Sequence, residues 1–195
     1  MTVRYINRKE DTYYLHRGKT KTGNPKYFFS RKKDNGLVST LPKDYEIYEN
    51  PNARVFLRRI PPKVITDKEL SIVEKGVKKY SGLKDFKLDV KKNKIIVFLP
   101  DQDMDLLKDL FLSIREPSEQ KNISELEQRL KMNTTYSPMM QFVLIDKKTR
   151  EFEVERYCFL CSIDDWIIIG CSTNLPKLVK EYSKHLGKDS LFELF

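Results

Sequence analysis

Short aromatic and apolar runs are set among basic residues through the first sixty positions, and the runs break where glycine, proline and asparagine gather. Thr12 to Arg17 and Lys26 to Lys32 are aromatic-rich runs, separated by Gly18 and by Gly23-Asn24-Pro25, which is turn chemistry. Tyr45 to Glu49 and Arg54 to Arg59 repeat the pattern on either side of Asn50-Pro51-Asn52. About four strands of a twisted antiparallel meander are expected before residue 60. Ile60-Pro61-Pro62 then stops the pattern, because neither proline can donate to a ladder and each restricts the residue before it. The expected division is a basic, aromatic-rich β meander over 1–62 and a mixed α+β lobe over 63–195, with a single shared core as the alternative.

The period changes after the prolines. Thr66-Asp67-Lys68-Glu69 reads as a capping box, and Leu70, Val73, Val77 and Tyr80 follow at helical spacing until Ser81-Gly82. This predicts a helix from Asp67 to Tyr80 with Gly76 as its weak point. Phe86, Leu88 and Val90 alternate with polar residues, whereas Ile95 to Leu99 is continuously apolar, so the two predict a hairpin whose second strand is the more buried. Met104, Leu107, Phe111 and Ile114 form a helical stripe that Pro117 ends, and Ile123, Leu126 and Leu130 mark a second helix over Glu119 to Lys131. Strands are expected again at Gln141 to Ile145, Glu151 to Phe159 and Trp166 to Ile169. A last helix carries Leu175, Leu178, Val179, Tyr182 and Leu186 before Gly187. The predicted class is α+β: an N-terminal antiparallel meander, then a mixed lobe ending in an amphipathic helix.

Composition adds a location and a sign of charge. A 195-residue chain with 39% hydrophobic residues can bury a sizeable core. No run approaches the ~20 apolar residues of a membrane span, and Met1 to Glu10 is too polar for a secretory signal. Three cysteines is an odd count that fits reduced thiols better than a disulfide framework, so the expected location is cytoplasmic. Residues 1–100 hold 24 Lys+Arg against 11 Asp+Glu and the remainder 13 against 17, so the halves carry +13 and −4 of the net +9. That asymmetry points to an anionic partner: nucleic acid, an acidic protein or a charged membrane surface.

Motifs for chemistry are incomplete. Gly18-Lys19-Thr20 echoes a phosphate-binding loop, but the earlier glycine is replaced by Tyr13 and Pro25 stands where a helix should begin. Asp101, Asp103 and Asp105 open like a calcium loop, yet Leu106 and Leu112 take the glycine and bidentate-carboxylate positions. Cys158, Cys161, Cys171 and His185 contain the ligand types of a zinc site, but residues three apart on a strand face opposite sides. Glu151, Glu153 and Glu155 line one side of a strand as a solvated face. No catalytic residue, metal or cofactor is expected from these patterns.

The positive, aromatic block from Tyr13 to Lys33 is the one pattern with a direct physical use. Arg17, Lys19, Lys21, Lys26, Arg31, Lys32 and Lys33 are the candidate phosphate contacts, and Tyr14 and Phe28 the candidate stacking residues for unpaired bases. The competing reading makes the aromatics the inner face of a small sheet whose charges solvate its outside. The expected function is a non-enzymatic binding module for an anionic macromolecule, nucleic acid foremost. The alternatives are an adaptor or self-associating protein that meets an acidic partner, with the apolar end Leu191 to Phe195 packing on that partner or on its own core, and an enzyme whose site is assembled from scattered residues.

The segments Tyr13 to Ser30, Leu41 to Pro51, Val55 to Arg59, Ser162 to Trp166 and His185 to Leu194 together resemble a family of uncharacterised prokaryotic proteins. The resemblance implies a prokaryotic, cytosolic origin and assigns no functional residue.

Overall fold

The computed structural model describes residues 2–102, 106–107, 110, 113, 128–130, 132–159 and 164–194. The chain divides into two compact units, Met1–Pro61 with Asp103–Thr134 and Pro62–Gln102 with Thr135–Phe195. Both are rich in antiparallel strands, and the class is α+β with β predominating.

In the first unit, β1 (Arg4–Ile6), β2 (Thr12–Lys19) and β3 (Pro25–Ser30) form an antiparallel meander, and β4 (Tyr45–Glu49) pairs with β5 (Val55–Arg59) as a separate hairpin. Strand β1 was not expected, since three residues are too few to display a period. Gly18, expected as a separator, lies inside β2; a side chain there would press on the Phe28 ring at 3.3 Å. The three hairpin turns share one design. Asn7, Thr20 and Asn50 each donate a backbone N–H to the carbonyl four residues on and accept one from three residues on. The fourth position is left-handed in each, at Glu10, Gly23 and Ala53. Asn7 also donates from Nδ2 to the Ala53 carbonyl at 2.7 Å, and Glu49 accepts from Tyr5 and from Arg8 at 2.9 and 2.6 Å, so two of these turns are fastened together. Burial, then the Glu49 hydrogen bond, raises the Tyr5 pKa above its ordinary value. Leu15 is fully buried in this unit.

The second unit is a five-stranded antiparallel sheet in the order β10-β9-β8-β7-β6, built from β6 (Lys87–Lys91), β7 (Lys94–Pro100), β8 (Tyr136–Asp146), β9 (Glu151–Cys158) and β10 (Asp165–Ser172). Helices α1 (Asp67–Tyr80) and α2 (Leu175–Ser183) contribute to its core. Val73 and Val77 of α1 and Leu178 and Val179 of α2 are buried with Ile95, Val97, Phe142 and Val154 of the sheet. Ile96, Phe98 and Tyr136 form a second, smaller cluster against Trp166. The α1 capping box is present in full, with Thr66 and Glu69 bonded reciprocally, and Gly82 after the helix is left-handed. Gly76 is the contact point of the two helices: a Cβ on it would overlap Cγ1 of Val179. Its weakness in helix propensity, about 1 kcal/mol relative to alanine, is therefore offset by a close approach that only glycine permits.

The expected helices on Met104 to Ile114 and on Glu119 to Lys131 fall largely outside the described residues; positions 106–107, 110, 113 and 128–130 are helical. The apolar end is built into the second unit, with Leu191 fully buried, Leu194 packed on the core and the Leu194 carbonyl accepting from Arg156 Nε at 2.8 Å. Among the described residues no helix is long and apolar enough to cross a membrane.

Candidate nucleic-acid interface

Strand β2 is central to the first sheet, and this decides where its cations go. Its pairing with β3 sets Arg17 opposite Tyr27, His16 opposite Phe28 and Lys19 opposite Pro25. Directly opposed residues share a face, so Tyr14, His16, Lys26 and Phe28 lie on one face and Arg17, Lys19 and Tyr27 on the other. The candidate cations are thus split between faces along the strands. They converge only at the end of the ribbon, where Arg17, Lys19 and Lys26 flank the turn that carries Lys21. All four are exposed, and no carboxylate occurs between residues 12 and 33.

Beyond β3 the chain crosses from one edge of β2 to the other. The crossing carries Arg31, Lys32, Lys33 and Asp34, and Gly36 to Val38 then bond the far edge: Arg17 N–H donates to Gly36 O at 2.8 Å and Val38 N–H to Leu15 O at 2.9 Å. Gly36 is left-handed, and a Cβ on it would stand 2.8 Å from the Arg17 carbonyl, so this close approach requires glycine. His16 anchors the crossing from beneath. The imidazole is 3% exposed, its Nε2 lies 3.0 Å from the Lys32 carbonyl and its Nδ1 3.3 Å from that of Asn35, and its ring stacks on Phe28 at 5.4 Å.

The seven candidate cations are therefore not equivalent. Arg31 is held by Asp11 at 2.8 Å and by the Tyr13 hydroxyl, whose hydrogen bond raises the guanidinium pKa. Lys33 lies 6.0 Å above the Tyr14 ring, which leaves half-buried Tyr14 already covered by a cation. Lys32 is exposed on the crossing. Phe28, 42% exposed, is the better placed of the two stacking candidates.

Two features were not read from the sequence. Tyr27 faces the same side as Arg17, and with Gly36 to Thr40 and Pro42 they line a shallow cleft of about 460 Å³. A smaller hollow of about 230 Å³ adjoins it, bounded by Arg17, Gly18, Lys19, Gly23 and Pro25. The cleft therefore sets one guanidinium beside one aromatic ring and the hydroxyls of Ser39 and Thr40, groups suited to a phosphate and an adjacent base. Only the β2–β3 register, which a single sequence does not print, identifies Tyr27 as the partner of Arg17.

Among the described residues, Cys158, Cys171 and His185 do not converge. Cys158 alternates with Phe152 and Val154 on one face of β9, while Cys171 pairs with Glu153 on the other. His185 bonds Ser190 at 2.9 Å, and burial, then the neighbouring Lys184 and Lys188, depresses its pKa. Cys161 lies outside the described residues. The whole chain matches no family model, no curated protein and no solved structure.

Proposed function

We propose that this protein is a non-enzymatic binding module for anionic macromolecules, with nucleic acid as the partner and the β2–β3 tip as the contact. The cytoplasm is the compartment that fits its reduced-thiol composition. The supporting observation is the convergence of Arg17, Lys19, Lys21 and Lys26 on a carboxylate-free turn, with Tyr27 and Phe28 on its two faces. Cations at such a tip neutralise phosphates and release counterions, and an exposed ring adds roughly 1 to 3 kcal/mol for each unpaired base it stacks. The sequence carries no nucleic-acid recognition motif, so binding with little sequence preference is expected.

Four phosphate contacts on a single strand give a salt slope of about −3, which is roughly a 50-fold loss of affinity between about 50 and 200 mM salt. Fluorescence anisotropy with mixed-sequence single-stranded DNA and RNA reads that slope directly. Changing Arg17, Lys19, Lys21 and Lys26 together to Glu should abolish binding while leaving circular dichroism unchanged. Affinity that survives this change, or that ignores salt, overturns the reading. The alternative partner, an acidic protein or a second copy of the chain, has a separate signature: light scattering that shows self-association at low salt and its reversal at high salt.

A further inference from the structure

Strand β6 is an edge of the five-stranded sheet, and no strand among the described residues pairs with its outer side. The opposite edge, β10, is broken by a register slip between Ile168 and Gly170, a device that spoils pairing with another chain. Strand β6 has no such slip: its five residues pair with β7 in unbroken register. Its backbone therefore presents a regular row of donors and acceptors.

Beside this edge runs a groove of about 560 Å³ between β6 and α1. Leu70, Leu83, Phe86, Leu88 and Val90 form its half-buried apolar floor, and Glu74 and Lys78 of α1 stand along the far rim. Leu88 and Val90 face the helices, since they pair with Val97 and Ile95 of the core, whereas Lys87, Asp89 and Lys91 face the other side. The edge is cationic, with five lysines against two aspartates from Lys84 to Lys94. Both aspartates are engaged: Asp85 accepts from the Tyr136 hydroxyl at 2.6 Å and stands 3.4 Å from Lys87, and Asp89 stands 3.4 Å from Lys91.

We propose that this groove binds an extended acidic and apolar peptide, which adds to β6 as a sixth strand. The register specifies the ligand. Residues opposite Leu88 and Val90 enter the groove and must be apolar, and those opposite Lys87 and Lys91 meet lysines and should be acidic. The preferred pattern is acidic, apolar, any, apolar, acidic. Main-chain hydrogen bonds supply affinity, and the two apolar positions supply selectivity. A second copy of this chain fits poorly. Antiparallel self-pairing centred on Asp89 would set Asp89 against its own copy and Lys87 against Lys91 at both ends, and like charges directly opposed are destabilising. This inference does not depend on the nucleic-acid reading, because it uses neither β2 nor β3.

The test is titration of the full chain, isotopically labelled for NMR, with the synthetic peptide Asp-Val-Thr-Leu-Glu extended by glycine and serine at both ends. Expected are amide shifts confined to β6, α1 and residues 83–86, and a loss of affinity of at least about tenfold when both acidic residues are replaced by lysine. A peptide N-methylated at the amides that should pair with β6 keeps its side chains and must also lose at least about tenfold. In the protein, Lys87→Glu with Lys91→Glu should reverse the preference toward the lysine peptide. Equal binding of the N-methylated peptide, shifts centred on β2 and β3, a concentration-dependent dimer with no peptide binding, or no binding at about 1 mM peptide would each overturn the proposal.

Discussion

Glu69 holds three structural roles at once. It completes the α1 capping box with Thr66, it receives Arg150 Nε at 2.8 Å, and through Arg150, which also bonds the Val64 carbonyl, it ties the helix start to the β8–β9 turn. Burial pushes its pKa up, but the hydrogen bonds from Arg150 and Thr66 outweigh burial and hold the carboxyl below its ordinary value. A folded-state pKa below the unfolded one means stabilisation that is complete above the unfolded value, near ~4.3, and is lost as pH falls through the folded value. Arg150→Ala should therefore flatten the acid limb of the stability curve below about pH 5, besides costing about 1 to 3 kcal/mol at neutral pH. Urea melts across that range check it, and parallel acid limbs in the two proteins would show that Arg150 does not set the carboxyl. The capping box was legible because its spacing is local. Arg150, eighty-one positions away in sequence, was not, since nothing in a turn of polar residues marks which one reaches a helix start.

At the scale of elements, periodicity located β4 over Tyr45 to Glu49 and α1 over Asp67 to Tyr80, and strand ends elsewhere moved by a few residues. Pairing partners were a different matter. The sequence shows β2 and β3 as two aromatic-rich runs bounded by turn residues, but only their register separates Arg17 and Lys19 from Lys26 and Phe28, and only the crossing of 31–35 over β2 explains the burial of His16. His16 acts as a staple for that crossing. Replacing it with leucine keeps comparable bulk and removes both contacts to the Lys32 and Asn35 carbonyls, so trypsin should cut faster after Arg31, Lys32 and Lys33 while β4 and β5 stay resistant. Unchanged cleavage in a timed digest would mean that the Gly36 to Val38 ladder alone holds the segment.

For the molecule as a whole, the two prolines at 61 and 62 mark where the chain passes between units, yet the path is not a simple succession. The chain leaves the sheet unit after Gln102 and re-enters at Thr135. Within that unit the two ends meet: Asp101 N–H donates to the Thr135 carbonyl at 2.9 Å, and Pro100 pairs with Tyr136. β7 and β8 are thus joined like the arms of a hairpin with residues 103–134 in place of its turn. A sequence period cannot reveal this, because adjacency of the two ends is a long-range fact. A chain of residues 62–195 in which an Asn-Gly turn replaces 103–134 should keep the five-stranded sheet and unfold cooperatively. Far-ultraviolet circular dichroism during thermal melting decides it, and an unstructured product would show that the sheet needs the replaced segment.

The seat of Val179 against bare Gly76 has a bearing on what can enter beside β6. With no side chain to compress at that crossing, α1 has little freedom to swing outward, and its Leu70, Glu74 and Lys78 stripe becomes a fixed jamb. A guest strand must then match the width it finds, so branched aliphatic residues should be admitted and tryptophan turned away.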